Sequence, residues 1–385
     1  MKVLLVHPYM NVRGGAERQV INLGIELKKL GVDVKLLTFL IEKNKGYNEF
    51  FDKLEIIVFP KLIPFKYLLE FYPLVVSVMD YSKIFDKFDV INVHNFPANW
   101  IIQNCNKPVI WSANEVPWLT YSPTFMRFLR KRFLYKIFAK IDKNIVKNHI
   151  DKIVVLDKQR QKDIKLFYGR RSDIVRSGID VEIFKPIEKS IAKTRLENLT
   201  QRKLKGVIIL FVAGRLEPQK RLIDFLNCAK ILKERGIEIT SIIVGEGSEN
   251  KLIEKFKNKI NIVHLTNEWG KFLSLIYNAS DILIFPAVNQ PWGLVPFEAL
   301  ACNTIPIVSK VCGAAEVLRH KKTGIIVEPM KPQLLAEWVE YCINNKNEIE
   351  VIKKRGRKFV IDELTVNKYA KNMLKKFKEV MKYGE

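Results

Sequence analysis

At 385 residues the chain has room for two domains of roughly 100 to 200 residues each, which excludes a single small module. Hydrophobic residues make up 48% and charged residues 28%, enough apolar material for sizeable cores and far from a disordered composition. Lys and Arg number 65 against 41 Asp and Glu, and this formal charge of +24 points to anionic partners rather than to a fold.

The apolar run Val3 to Val6, the turn His7 to Gly15, the amphipathic stretch Ala16 to Leu30 and the β-branched run Val32 to Thr38 predict a βαβ unit. The opening run is too short for the apolar region of a signal peptide, roughly 7 to 15 residues, so no leader is expected. Strand patterns recur at Ile56 to Phe59, Val90 to Val93, Val109 to Trp111 and Ile153 to Leu156, with helical stretches between them long enough to cross over a parallel sheet. Residues 1–186 are therefore expected to form one doubly wound domain. The charge-dense stretch Lys185 to Lys205 has no strand pattern and places a linker at 187–205. Val207 to Ala213 restarts the alternation, with strands at Thr240 to Val244, Ile260 to Leu265, Ile282 to Phe285 and Ile305 to Val308, giving a second domain over 206–365. The final helical stretch, 366–385, is expected to pack back on the first domain. Such sheets bind ligands outside the carboxyl ends of their strands, and two facing each other would form an interdomain cleft.

Cys105, Cys228, Cys302, Cys312 and Cys342 form no close pair, which argues against a disulfide framework or zinc knuckle and fits a reducing compartment. No run approaches the roughly 18 apolar residues of a membrane span, so any membrane would be met at its surface.

Four turns carry chemistry. Gly14-Gly15 precede a helix whose unpaired amides suit a phosphate, or form only a tight turn. Val212 to Arg221 ends a buried strand at Gly214 and sets Arg215 and Lys220 near the next helix, where two cations can hold a diphosphate and stabilise its departure. A solvated basic turn would read the same way locally. Val244-Gly245-Glu246-Gly247 is a glycine-rich strand end that admits close approach. From Phe285 to Glu298 a strand runs into a helix through Gln290, Trp292, Gly293, Leu294 and Val295. Their backbone amides suit a sugar or phosphate, and Glu298 is either a cap or an acceptor for vicinal hydroxyls.

These turns resemble glycosyltransferase family 4. The matching stretches stand in the family's order: GGAER at Gly14, INVHN at Ile91, RSGIDVEIFKP at Arg176, AGRLEPQK at Ala213, VGEGSE at Val244, FPAVNQPWGLVPFEALAC at Phe285 and TGIIVEP at Thr323. The resemblance implies an α/β protein of GT-B fold, two Rossmann-like doubly wound parallel-sheet domains facing an interdomain cleft, that transfers a sugar from a nucleotide donor with retention. It implies that Arg215 and Lys220 bind the donor diphosphate and Glu298 the ribose. Gly15, Gly214, Gly245, Gln290, Trp292, Gly293, Leu294 and Val295 would surround the donor. No metal or cofactor is implied beyond the nucleotide sugar as co-substrate. Two departures stand out. Where the family has the first of two glutamates eight positions apart, this chain has Gln290. Where many relatives have a histidine after the strand Val109 to Trp111, it reads Ser112-Ala113-Asn114-Glu115. His94 matches a cleft-facing family position and, with Asn114 and Glu115, is the expected acceptor side; His7 also ends a strand.

The surplus charge divides evenly, with 31 basic against 19 acidic residues in 1–186 and 34 against 22 beyond, and no nucleic-acid motif is visible. Residues 122–147 interleave Phe125, Phe128, Leu129, Phe133, Leu134, Ile137 and Phe138 with Arg127, Arg130, Lys131, Arg132, Lys136 and Lys140. That pattern suits an anionic leaflet, or a crossover helix on the sheet. Phe65, Tyr67, Phe71 and Tyr72 add to the aromatic character of this half. The expectation is a cytoplasmic enzyme, peripheral at the cytoplasmic membrane face. It would move a hexose from a UDP- or GDP-sugar to a lipid-linked or saccharide acceptor, with no nucleic acid as partner. A non-catalytic nucleotide-sugar sensor is the alternative that Gln290 and Asn114 suggest.

Overall fold

The computed structural model describes residues 1–11, 14–42, 52–60, 72–119, 132–266 and 269–382. The chain divides into two compact units, Met1–Arg176 joined by Val366–Glu385, and Ser177–Thr365.

The first unit is built on a seven-stranded parallel sheet. Its strands are β1 (Lys2–Val6), β2 (Asp33–Thr38), β3 (Glu55–Val58), β4 (Val90–His94), β5 (Val109–Ser112), β6 (Lys152–Val155) and β7 (Asp173–Ile174). Val3 to Val6 and Val90 to His94 are buried at every position, as expected of central strands covered on both faces. The spatial order β3-β2-β1-β4-β5-β6-β7 reverses direction between β1 and β4. Helix α1 (Gly15–Lys29) follows β1 and packs Val20, Ile21, Leu23 and Leu27 inward. Helix α2 (Arg132–His149) is tied to the core through Asp142, a fully buried carboxylate that accepts bonds from Asn99 Nδ2, Trp100 Nε1, Trp118 Nε1 and Tyr168 Oη.

The second unit holds a six-stranded parallel sheet: β8 (Val207–Arg215), β9 (Ile239–Glu246), β10 (Ile262–Leu265), β11 (Ile282–Phe285), β12 (Ile305–Ser309) and β13 (Ile325–Val327). Its order β10-β9-β8-β11-β12-β13 reverses between β8 and β11. Each sheet therefore has one switch point, where adjacent loops diverge and leave a crevice.

The boundary falls at Arg176, ahead of the expected Pro186, because the segment after it is bonded into the second unit. Trp292 Nε1 donates to Ser177 O at 3.1 Å, Ile179 bridges Thr365, and Ile187 N donates to Asn278 Oδ1 at 2.7 Å. Nor is 187–205 only a linker: Lys189–Thr200 is a helix of the second unit, capped by Glu188 and burying Ala192 and Leu196. Two apolar positions four apart suffice for one contact face, and the surrounding charge hides them in the sequence. The last helix, α3 (Val366–Lys382), groups with the first unit. Gln19 Nε2 on α1 donates to its Tyr369 Oη at 2.9 Å, and Lys152 and Asp173 pair with Glu379 and Lys376, each at 2.8 Å.

Candidate active site

At the second unit's switch point, the carboxyl ends of β8 and β11 carry the expected donor residues. After β8, Arg215 is exposed, 3.4 Å from Glu217, and Lys220 closes a single 3₁₀ turn, Pro218–Lys220. Lys220 is drawn inward. Burial first, then the Arg215 charge, lowers it to about 8, against a smaller upward pull from Glu217. Its Nζ donates to the amide oxygen of Gln290, whose amide nitrogen, Nε2, donates to Pro291 O at 3.0 Å. Val288 N donates to Gln219 O at 2.9 Å, and Gly313 N to Gln290 O at 3.0 Å. The loop after β11 is thus pinned on both sides, and Lys220 and Gln290 meet although far apart in sequence.

That loop carries three residues with positive φ, Asn289 at 51°, Trp292 at 39° and Gly293 at 83°. Such backbone in two non-glycine residues is held only by its surroundings. Here the anchor is Trp292. Its ring is buried with centroid 4.7 Å from that of Phe297, which leaves the backbone of this residue, not its side chain, for the loop surface. Leu294 and Val295 are half-buried at the start of the short helix Val295–Ala301. Glu298, in its first turn, is buried and accepts a bond from Tyr277 Oη at 2.8 Å. Tyr277 escaped the sequence reading because it lies in an apolar helical stripe, Gly270–Ala279, with no motif around it.

Gly214 lies in a bulge of β8, where the register with β9 shifts between Val212 and Arg215. Opposite it, a Cβ on Gly245 would stand 1.8 Å from Ala213 O, at φ 130°. Gly245 is required by this backbone contact before any ligand is considered.

In the first unit, His7 and His94 end β1 and β4 at the switch point. Both are buried and neutral: burial lowers His7 to about 4, and burial with the neighbouring His7 lowers His94 to about 3. Asn92 Nδ2 donates to Ile110 O and Ser112 Oγ, so its Oδ1 faces His94 Nε2 at 2.8 Å and fixes that nitrogen as the donor. His94 is therefore enclosed rather than presented to an acceptor. Asn114 is half-buried and Glu115 exposed just past β5, beside the end of β4. A Cβ on Gly15 would meet nothing within 4 Å, so the entry to α1 is open.

All five cysteines are free. Among the described residues no group of three or more His, Cys, Asp or Glu is placed to hold a metal ion, and no helix is long and apolar enough to cross a membrane. Of the basic aromatic segment, 122–131 lie outside the described residues, as do Phe65, Tyr67 and Phe71. In the described part of α2, Phe138 is buried and stacks on Trp100 at 5.7 Å, while Ile137 and Ile141 are exposed between Lys136, Lys140 and Lys143.

Residues 13–183 match the family model described as Glycosyltransferase Family 4, and residues 195–359 the model described as Glycosyl transferases group 1. An uncharacterised glycosyltransferase of Methanocaldococcus jannaschii, MJ1607, is 24% identical over 77% of this chain and 76% of its own length. Sucrose-phosphate synthase from Thermosynechococcus elongatus has a similar structure, with TM-score 0.78 at 18% identity and full coverage of both chains. The Anabaena protein HepE in complex with UDP-glucose gives TM-score 0.75 at 15% identity over 98% of this chain and all of its own. Two doubly wound units, each matched by its model and together matched by whole glycosyltransferase structures, identify the GT-B fold, and the chain belongs to glycosyltransferase family 4.

Proposed function

We propose that the protein is a retaining, metal-independent hexosyltransferase that takes its sugar from a UDP- or GDP-sugar and passes it to a lipid-linked or saccharide acceptor at an anionic membrane surface. The observation that carries this reading is the meeting of Lys220 and Gln290 at one switch point, in a loop pinned from both sides that runs into the helix bearing Glu298. Arg215 and Lys220 take the diphosphate. Charge grows on the leaving phosphate as the glycosidic bond breaks, and fixed cations favour that state over the bound substrate. Glu298, oriented by Tyr277, accepts the ribose hydroxyls. Gln290 and the amides of Gly293, Leu294 and Val295 hold the sugar, with Gly214 and Gly15 leaving room for the phosphate and acceptor. Asn114 and Glu115 bind the acceptor, whose proton passes to the departing phosphate oxygen. The UDP-glucose bound by the Anabaena protein of similar fold favours UDP over GDP.

Gln290 also supports a second reading, since a neutral amide occupied by Lys220 is what a site retained only for binding would show. One experiment separates the two: nucleotide release from a panel of UDP- and GDP-sugars, with and without chelator and lipid extract, on wild type, Lys220→Ala and Glu298→Ala. Release from one donor, indifferent to chelator and lost in both variants, is the expected result. A donor that protects the fold against heat yet never turns over, even with lipid, would instead make the protein a sensor.

A further inference from the structure

On the opposite edge of the second unit's sheet lies a cavity of about 520 Å³, lined by Val317, Arg319, Lys322, Thr323, Arg355 and Phe359. Thr323 and Gly324 lead into the amino end of β13, whereas the donor residues follow the carboxyl ends of β8 and β11. In a parallel sheet these are opposite edges. The volume falls within the roughly 300 to 1,000 Å³ of small-molecule pockets.

Three cations from two separate segments line this cleft, and none has a carboxylate partner among the described residues. On the helix Lys346–Glu363, Lys353 pairs with Glu350 at 2.5 Å and Lys358 with Asp362 at 3.4 Å. Around Arg355 the positions three and four away are Val351, Ile352, Lys358 and Phe359, which offer no acid. The walls are also fixed. Arg319 N donates to Thr323 Oγ1 at 2.8 Å and Thr323 N to Arg319 O at 2.9 Å, closing the turn on itself. A Cβ on Gly356 would stand 2.9 Å from Thr323 O and 2.4 Å from Leu300 Cδ2, so the turn rests directly on the helix. Like charges held together on rigid backbone repel one another, and an anion in the cleft removes that repulsion.

We propose that this cleft is a second ligand site, for a phosphorylated monosaccharide. The guanidinium forks of Arg319 and Arg355, with Lys322, take the phosphate monoester, and the apolar surfaces of Phe359 and Val317 take the C–H face of the sugar ring. The site is independent of the donor residues, and its test is run in a Lys220→Ala background so that phosphate at the donor edge does not contribute.

Glucose 6-phosphate, inorganic phosphate and glucose are titrated by calorimetry into Lys220→Ala and into the same chain with Arg319→Ala, Arg355→Ala or Phe359→Ala. Each added substitution lies on the cleft surface, and an unchanged melting temperature without ligand checks the fold. Saturable binding of glucose 6-phosphate is expected, weakened about tenfold or more by either arginine substitution, with phosphate weaker and glucose silent. Phe359→Ala should bring glucose 6-phosphate down to the level of phosphate. Absence of saturation by about 10 mM, or affinity indifferent to Arg319 and Arg355, would overturn the site. Equal affinity for phosphate and glucose 6-phosphate in the Lys220→Ala chain would overturn its assignment to a sugar phosphate.

Discussion

Lys220 holds a proton on a cation that its surroundings disfavour, and this makes the donor site sensitive to pH. Free protein carries Lys220 charged below about 8 and neutral above, so affinity for a nucleotide diphosphate should fall as pH rises through that value. Because the folded value lies below the ordinary 10.5, the ionisation also burdens the fold below about 8 and is relieved as pH rises toward 10.5. Gln290→Glu would set a carboxylate against Lys220 Nζ and raise its pKa, moving the alkaline fall in kcat/KM upward by a unit or more. A pH profile unchanged by the substitution would sever Gln290 from the electrostatics of the site. Tyr277→Phe removes one bond from the buried Glu298 carboxylate, which should destabilise the protein by about 1–3 kcal/mol and weaken nucleotide binding, read by melting with and without UDP. The places of Arg215, Lys220 and Glu298, each near a strand end or helix start, were legible in the sequence. The Lys220–Gln290 contact was not, since its partners lie on different loops and only the sheet order brings them together. The burial of the Trp292 ring was hidden for a related reason: it goes with a positive φ in the loop, and composition carries no sign of that.

At the level of elements, the strands were the most legible part, because parallel strands covered on both faces read as unbroken apolar runs. The helix Lys189–Thr200 was hidden by its charge, and the close approach of β8 and β9 by the absence of any side chain at Gly245. That approach can be tested. Gly245→Ala places a methyl 1.8 Å from Ala213 O in a backbone region that alanine avoids, so β8 and β9 must part where Arg215 begins. We expect a loss of about 2–4 kcal/mol by denaturant unfolding. Helix α2 combines two roles that the sequence could not separate. Phe138, Asp142, Ile145 and Val146 face the core, while Ile137 and Ile141 remain exposed among lysines. If the exposed face meets an anionic leaflet, Ile137→Asp with Ile141→Asp should reduce sedimentation with phosphatidylglycerol vesicles several-fold without changing the melting temperature. Unchanged sedimentation would remove this face from any membrane contact.

The path of the whole chain has its own thermodynamic consequence. The first unit is discontinuous: the chain leaves it at Arg176 and returns at Val366, whereas Ser177–Thr365 is continuous. The returning helix α3 buries Tyr369, Ala370, Met373, Phe377 and Val380 in the first unit. At about 1.5–3 kcal/mol for each large apolar side chain, their removal takes away a sum comparable to the roughly 5–15 kcal/mol that stabilises a whole domain. Truncation before Val366 should therefore unfold residues 1–176 while sparing 177–365, although the deletion is at the far end of the sequence. Calorimetry of the truncated chain should show one transition where the intact protein has two components, and UDP should raise the temperature of that remaining transition, since the proposed donor residues other than Gly15 lie within it. A truncated protein that kept both components would mean that α3 contributes little to the first unit. Loss of both would mean that the second unit depends on the first, despite being continuous in sequence.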